Sequence, residues 1–161
     1  MKKLIISLFV LVTVFALTGC TNSSKENNKK NSLVSGTSCK KELDKFSLEY
    51  ITEIENEKLK SIDIVSTYIY DTVDAMKISC DSNKTEVQQV NAKNTYVKYQ
   101  VTCDEEKKAV VIEKLYDTEK SMAEPSIKEM LSYIYDYIGS DGKFDLDGWK
   151  EDNTKDGYVC K

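Results

Sequence analysis

The sequence predicts an α+β domain: an antiparallel sheet of about four strands in two β-hairpins, with two or three helices packed on one face. The expected order is hairpin, helix, hairpin, helix, stapled by disulfides. Three observations carry this. Between Phe46 and Tyr70 apolar and polar residues alternate at the period of half-buried strands, and between Ser126 and Ile138 apolar residues recur at helical spacing. Four cysteines, Cys39, Cys80, Cys103 and Cys160, are spread over the same stretch, and its length of about 120 residues suits one domain, 39–161.

Phe46, Leu48, Tyr50, Thr52 and Ile54 share one strand parity, with Ser47, Glu49 and Glu53 on the other. A second strand runs from Leu59 to Tyr70, with Ile62, Ile64, Tyr68 and Tyr70 on one face. Between them Glu55-Asn56-Glu57-Lys58 forms a turn without glycine, in which Asn56 best tolerates a left-handed backbone. Cross-strand partners share a face, so even-numbered apolar residues oppose one another only if the loop is odd in length or the hairpin carries a bulge. A plain two-residue loop would set Tyr50 opposite Asp63, and that register is predicted against.

Asp71 is the expected N-cap of a helix starting at Thr72, with Asp74 favourable to the dipole and Val73, Met76 and Cys80 on one face. Asp81-Ser82-Asn83 weakens its middle, so it ends there or continues to about Gln89. A third strand, Thr95 to Cys103, aligns Val97, Tyr99, Val101 and Cys103, and a fourth, from about Lys108 to Tyr116, is apolar on both parities at Ala109-Val110-Val111-Ile112. Ser126 and Glu129 form a capping box after Pro125, opening a helix whose stripe is Ile127, Met130, Leu131, Ile134 and Ile138, ended by Gly139. Tyr133 and Tyr137 stand one turn apart on a neighbouring face, as core edge or as an aromatic contact surface. A short third helix after Asp145 buries Leu146 and Trp149 and leads to Tyr158-Val159-Cys160-Lys161.

Ahead of the domain, Lys2 and Lys3 precede an apolar run from Leu4 to Leu17, about 14 residues and shorter than the ~20 a membrane-spanning helix needs. Leu17-Thr18-Gly19-Cys20 resembles the lipobox of bacterial lipoprotein signal peptides. The resemblance implies that residues 1–19 are a signal peptide, cut before Cys20, and that acyl chains on Cys20 anchor the mature protein to the cell membrane on its extracytoplasmic face. Two chains give a stable anchor where one gives marginal binding. Residues 20–38, rich in Asn, Ser and Lys from Thr21 to Thr37, read as a flexible tether with a reach of roughly 20 to 25 Å.

Cleavage removes two of the 23 basic residues and leaves 27 acidic ones, a mature charge near −6. The chain has no arginine and no histidine, so it lacks the bidentate fork that reads phosphate or guanine, and nucleic acid is excluded as a partner class. Its Lys, Asn and Ile bias fits a low-GC Gram-positive bacterium. Outside the cytoplasm the four domain cysteines form two disulfides, with three possible connectivities. The favoured pairing is Cys39 with Cys160, fastening the domain's ends, and Cys80 with Cys103, although spacing alone leaves the others open. Zinc lacks both a Cys-x-x-Cys motif and histidine, so no metal and no cofactor is expected.

The hairpin around Asn56, the cysteine of the first helix, the strand end Val101-Thr102-Cys103 and the closing Gly157-Tyr158-Val159-Cys160 together resemble the small lipoproteins with a YehR-like domain of unknown function. The resemblance spans most of 39–161, implies a lipoprotein of unassigned activity and brings no catalytic residues. The residues themselves offer none. Asp141 to Gly148 superficially matches a calcium loop, but the register that puts Gly148 in sixth place assigns Lys143 and Thr154 as ligands, which neither can be. Without histidine no cysteine thiolate dyad can be built.

The expected function is therefore a monomeric, non-enzymatic surface module that binds a protein or glycan ligand, with Tyr133 and Tyr137 as contact residues. The alternative is a carboxylate-dependent hydrolase acting on envelope or host glycans.

Overall fold

The computed structural model describes residues 34–161. The expected signal segment 1–19, Cys20 and the expected tether as far as residue 33 lie outside the described residues. Strand β1 (Val34–Leu43) comes first among the described residues, followed by β2 (Phe46–Glu55), β3 (Lys58–Ile69), helix α1 (Val73–Lys93), β4 (Val97–Asp104) and β5 (Ala109–Asp117). Helices α2 (Thr118–Met122), α3 (Pro125–Met130), α4 (Ser132–Tyr135) and α5 (Leu146–Lys155) come next, and β6 (Val159–Cys160) closes it. The six strands form one antiparallel sheet in the order β4-β5-β3-β2-β1-β6.

This corrects the expected architecture of four strands in hairpin, helix, hairpin, helix order. A three-stranded meander precedes α1, one hairpin follows it, and four short helices fill the space before the closing strand. The two strands missing from the expectation are β1 and β6. Strand β1 reads Val-Ser-Gly-Thr-Ser-Cys-Lys-Lys-Glu-Leu, and its inward residues Thr37 and Cys39 are too small and polar to signal a strand. Pairing makes it one: it runs against β2 from Val34 opposite Glu55 to Leu43 opposite Phe46. Strand β1 thus begins five residues before Cys39. Strand β6 has only two residues, held with Cys160 opposite Cys39.

The β2–β3 hairpin resolves the register question. Asn56 and Glu57 form a two-residue loop, both at positive φ (52° and 63°), and a bulge follows at once. Ile54 faces Leu59 but Glu53 faces Ser61, so Lys60 is the extra residue and Tyr50 lies opposite Ile64. Even-numbered apolar residues of both strands thereby meet on one face. Ile62, wholly buried, sits in the middle of it beside Thr52 and Tyr116.

All five helices pack against that face. Helix α1 covers β4 and β5, where Met76 and Cys80 bury against Tyr99, Val110 and Ile112. The Cys80–Cys103 disulfide fastens it there. Tertiary burial carries the helix through Asp81-Ser82-Asn83 to Lys93, past the expected end. Its N-cap is Thr72, whose hydroxyl accepts from the Ala75 amide at 3.2 Å, while the expected cap, Asp71, pairs with Lys45 at 2.6 Å.

The helix expected from Ser126 to Ile138 is broken at Leu131. Its capping box does not form, since Glu124 is the N-cap and makes no side-chain bond. Ser-Tyr-Ile-Tyr-Asp-Tyr-Ile, from 132 to 138, is poor in strong helix formers. The break holds Tyr133 against Tyr50 while Tyr135 hydrogen-bonds Ser121 of α2.

Asn91 of α1 closes part of the free β4 edge. Its amide donates to the Tyr99 carbonyl at 2.8 Å, and its carbonyl accepts from the Tyr99 amide at 2.9 Å, as a neighbouring strand would. Replacing Asn91 with alanine removes both bonds and lowers stability in urea denaturation by about 1–2 kcal/mol. Unchanged stability would mean that water serves this edge equally well.

Candidate functional site

Four tyrosines and three aspartates converge on the helix-covered side of the sheet. Tyr50, at the middle of β2, forms the floor, with its ring 6.5 Å from that of Trp149 beneath it. Tyr158 lies 5.6 Å from Tyr50 on one side and Tyr133 lies 5.4 Å from it on the other. Tyr137 and Asp136 follow α4, and Asp152, Asn153 and Asp156 come from the last turn of α5 and its cap. Together these eight residues line a cleft of about 530 Å³, a size in the usual range for small-molecule sites.

Each wall has a local cause. Cys39 faces Tyr50 across β1 and β2, and its disulfide to Cys160 holds the end of the chain alongside β1 at that point of the sheet. Tyr158, two residues before Cys160, is set beside Tyr50 in consequence. Asp145 caps α5 by accepting from the Gly148 amide at 3.0 Å, and Trp149, wholly buried, pins the helix to the sheet. The acidic stretch from Asp141 to Gly148 is therefore a turn and a helix cap. Among the described residues no group of three or more acidic or cysteine side chains is placed to hold a metal ion.

Of the two tyrosines singled out from sequence, Tyr133 is 42% exposed and Tyr137 is half-buried. They meet in this cleft. The Tyr137 hydroxyl donates to Asp152 at 2.7 Å, and Lys155 donates to the other oxygen of Asp152 at 2.9 Å. Hydrogen bonds from Lys155 and then Tyr137 hold the Asp152 carboxyl below its ordinary range, and the same Asp152 contact raises the Tyr137 phenol. Burial pushes the Tyr133 phenol up to about 12 and the Tyr50 phenol higher still. At neutral pH Tyr50, Tyr133 and Tyr137 are thus neutral phenols and Asp152 is an ionised carboxylate.

Sequence reasoning missed Tyr50, Tyr158 and the aspartates. One signal was available. Asp152 and Asp156, four residues apart at the C-terminal end of α5, repel each other and oppose the helix dipole, a local cost that a ligand site can explain.

Two other features are less suited to a site. A larger cleft of about 800 Å³ is lined by Lys58, Lys60, Lys98 and Lys120, but with Glu53, Asp117 and Glu119 among them. Two of its lysines are already paired, Lys60 with Glu55 and Lys120 with Asp117, so little net charge is left in it. On the open face of the sheet Asp63 stands between Ile51 and Leu115 on neighbouring strands. Burial, then the nearby Glu113 and Glu49 carboxylates, raise its pKa, and its Oδ1 has no partner.

A raised folded-state pKa means that the native protein binds the proton more tightly than the unfolded chain does. Asp63 therefore favours folding fully below its unfolded pKa, and this contribution is lost as pH rises through the folded value. Asp63→Asn should raise stability at neutral pH by a few tenths to about 1 kcal/mol, discounted for solvent screening. The gain should vanish near pH ~3. Urea denaturation at the two pH values checks this; a gain that persists in acid would assign the effect to something other than charge.

An NMR structure of a protein from Streptococcus pneumoniae TIGR4 shares the fold, with a TM-score of 0.59 and 9% sequence identity over 94% of this chain and 99% of that one. At that identity the likeness concerns the fold alone. No protein-family model matches the chain, and no curated protein matches it.

Proposed function

We propose that this is a lipoprotein held by acyl chains on Cys20 to the extracytoplasmic face of the cell membrane, with residues 34–161 acting as a non-enzymatic binding module. The tyrosine cleft is the observation that carries the binding role. It joins aromatic surface, which contributes most at recognition sites, to a few oriented polar groups. The lipobox-like Leu17-Thr18-Gly19-Cys20 supports the anchor, and the YehR-like resemblance agrees with it. Two disulfides, Cys39–Cys160 and Cys80–Cys103, support a compartment outside the cytoplasm.

Hydrolysis of glycans is less well supported. It requires a carboxylic acid of raised pKa facing a second carboxylate across a substrate cleft. In the tyrosine cleft Asp152 is shifted the other way, and the raised carboxyl, Asp63, belongs to the open sheet face.

Two experiments test this. A Cys20→Ser variant should lose fatty-acid labelling and be released or left uncleaved; a processed form still held at the membrane would refute the anchor. Purified soluble peptidoglycan fragments should bind saturably without release of reducing ends, and Tyr133→Ala with Tyr137→Ala should weaken binding by about 10-fold or more. Release of reducing ends that depends on Asp63 would establish the hydrolase instead.

A further inference from the structure

We propose that the tyrosine cleft takes an alkylammonium group, seated against the aromatic wall and paired with the carboxylates of Asp136 and Asp156. The inference rests on the reading of this cleft as the binding site and names the chemistry of its ligand.

The lining decides the sign of the charge. Four tyrosines, three aspartates and one asparagine face the cleft, and no lysine does. Two of its five donor groups are committed. The Asn153 amide donates to the Trp149 carbonyl at 2.8 Å, and the Tyr137 hydroxyl donates to Asp152. Asp152 is also served by Lys155. Asp136 and Asp156 make no ion pair among the described residues. The charge that the cleft leaves unpaired is therefore carboxylate, set beside aromatic rings. An anion would be repelled here. An ammonium group donates only.

The chain already places such a group on this wall. The Lys41 ammonium lies 5.4 Å from the centre of the Tyr158 ring and donates to the Asp156 backbone carbonyl at 2.7 Å. It approaches from β1, outside the cleft lining, and combines an aromatic face with an oxygen acceptor, which is how proteins hold alkylammonium groups. The cleft repeats that pairing on its inner side with full carboxylates in place of a carbonyl. Its volume of about 530 Å³ leaves room for the carbon chain or headgroup that carries the charge.

The group has two chemical sources, a lysine-type side chain and a quaternary headgroup. Full-length protein in detergent would be titrated with Nα-acetyl-lysine methylamide and with choline, followed by calorimetry and by the emission of Trp149, which lies under Tyr50. The uncharged comparators are Nα-acetyl-norleucine methylamide and 3,3-dimethylbutanol. At least one ammonium compound should bind about 10-fold or more tightly than its comparator, and the tighter of the two identifies the source.

Asp136→Asn with Asp156→Asn, both at exposed positions, should reduce that binding by about 10-fold or more and weaken its salt dependence. Equal affinity for charged and neutral partners, or full affinity in the double variant, overturns the inference. Peptidoglycan fragments bound through Tyr133 and Tyr137, with neither ammonium compound bound, would overturn it while leaving the binding site in place. Failure of all the probes would remove both.

Discussion

The disulfide between Cys39 and Cys160 is the constraint on which the rest of this domain depends. It joins the first strand to the last across 121 residues, and closing a loop of that length stabilises the fold by about 5 kcal/mol in the chain-entropy model. Its position matters more than its strength. Cys39 is wholly buried opposite Tyr50, so the bond fixes the end of the chain beside β1 at the edge of the sheet, where backbone bonds between Ser38 and Lys161 add to it. Tyr158 and the end of α5 follow, and one side of the cleft is built. The other side comes from the broken helix, which rests Tyr133 on Tyr50.

The second disulfide works separately. Cys80–Cys103 ties α1 to β4, and the core beneath α1 is a cluster distinct from the one under α5. One cross-link therefore secures the half of the sheet that carries the cleft, and the other secures the half that backs it. Asp136 and Asp156, the cleft aspartates without an ion pair among the described residues, sit at exposed helix ends, where water screens their charge.

Much of the framework was legible because it follows from periodicity. The strands around Phe46, Leu59 and Val97 alternate clearly, the one around Ala109 is apolar on both parities, and parity required either an odd loop or a bulge, of which the structure has the bulge, at Lys60. The sequence of β1 offered no such signal, since its strand character comes from β2 beside it and from Cys39 within it, both long-range facts. The break at Leu131 was hidden for the opposite reason: the apolar stripe from Ile127 to Ile138 is helical in spacing, but tertiary contacts of Tyr133 and Tyr135 override it. Tyr133 and Tyr137 could be named from their one-turn spacing, whereas Tyr50 and Tyr158 lie far apart in sequence and meet only because the clasp closes.

Hydrogen exchange on a Cys39→Ala, Cys160→Ala variant tests this dependence most directly. The account predicts that protection falls furthest in α5 and residues 157–161, while α1, β4 and β5, tied by Cys80–Cys103, lose less. A loss no greater in α5 and at Tyr158 than in α1, β4 and β5 would contradict it.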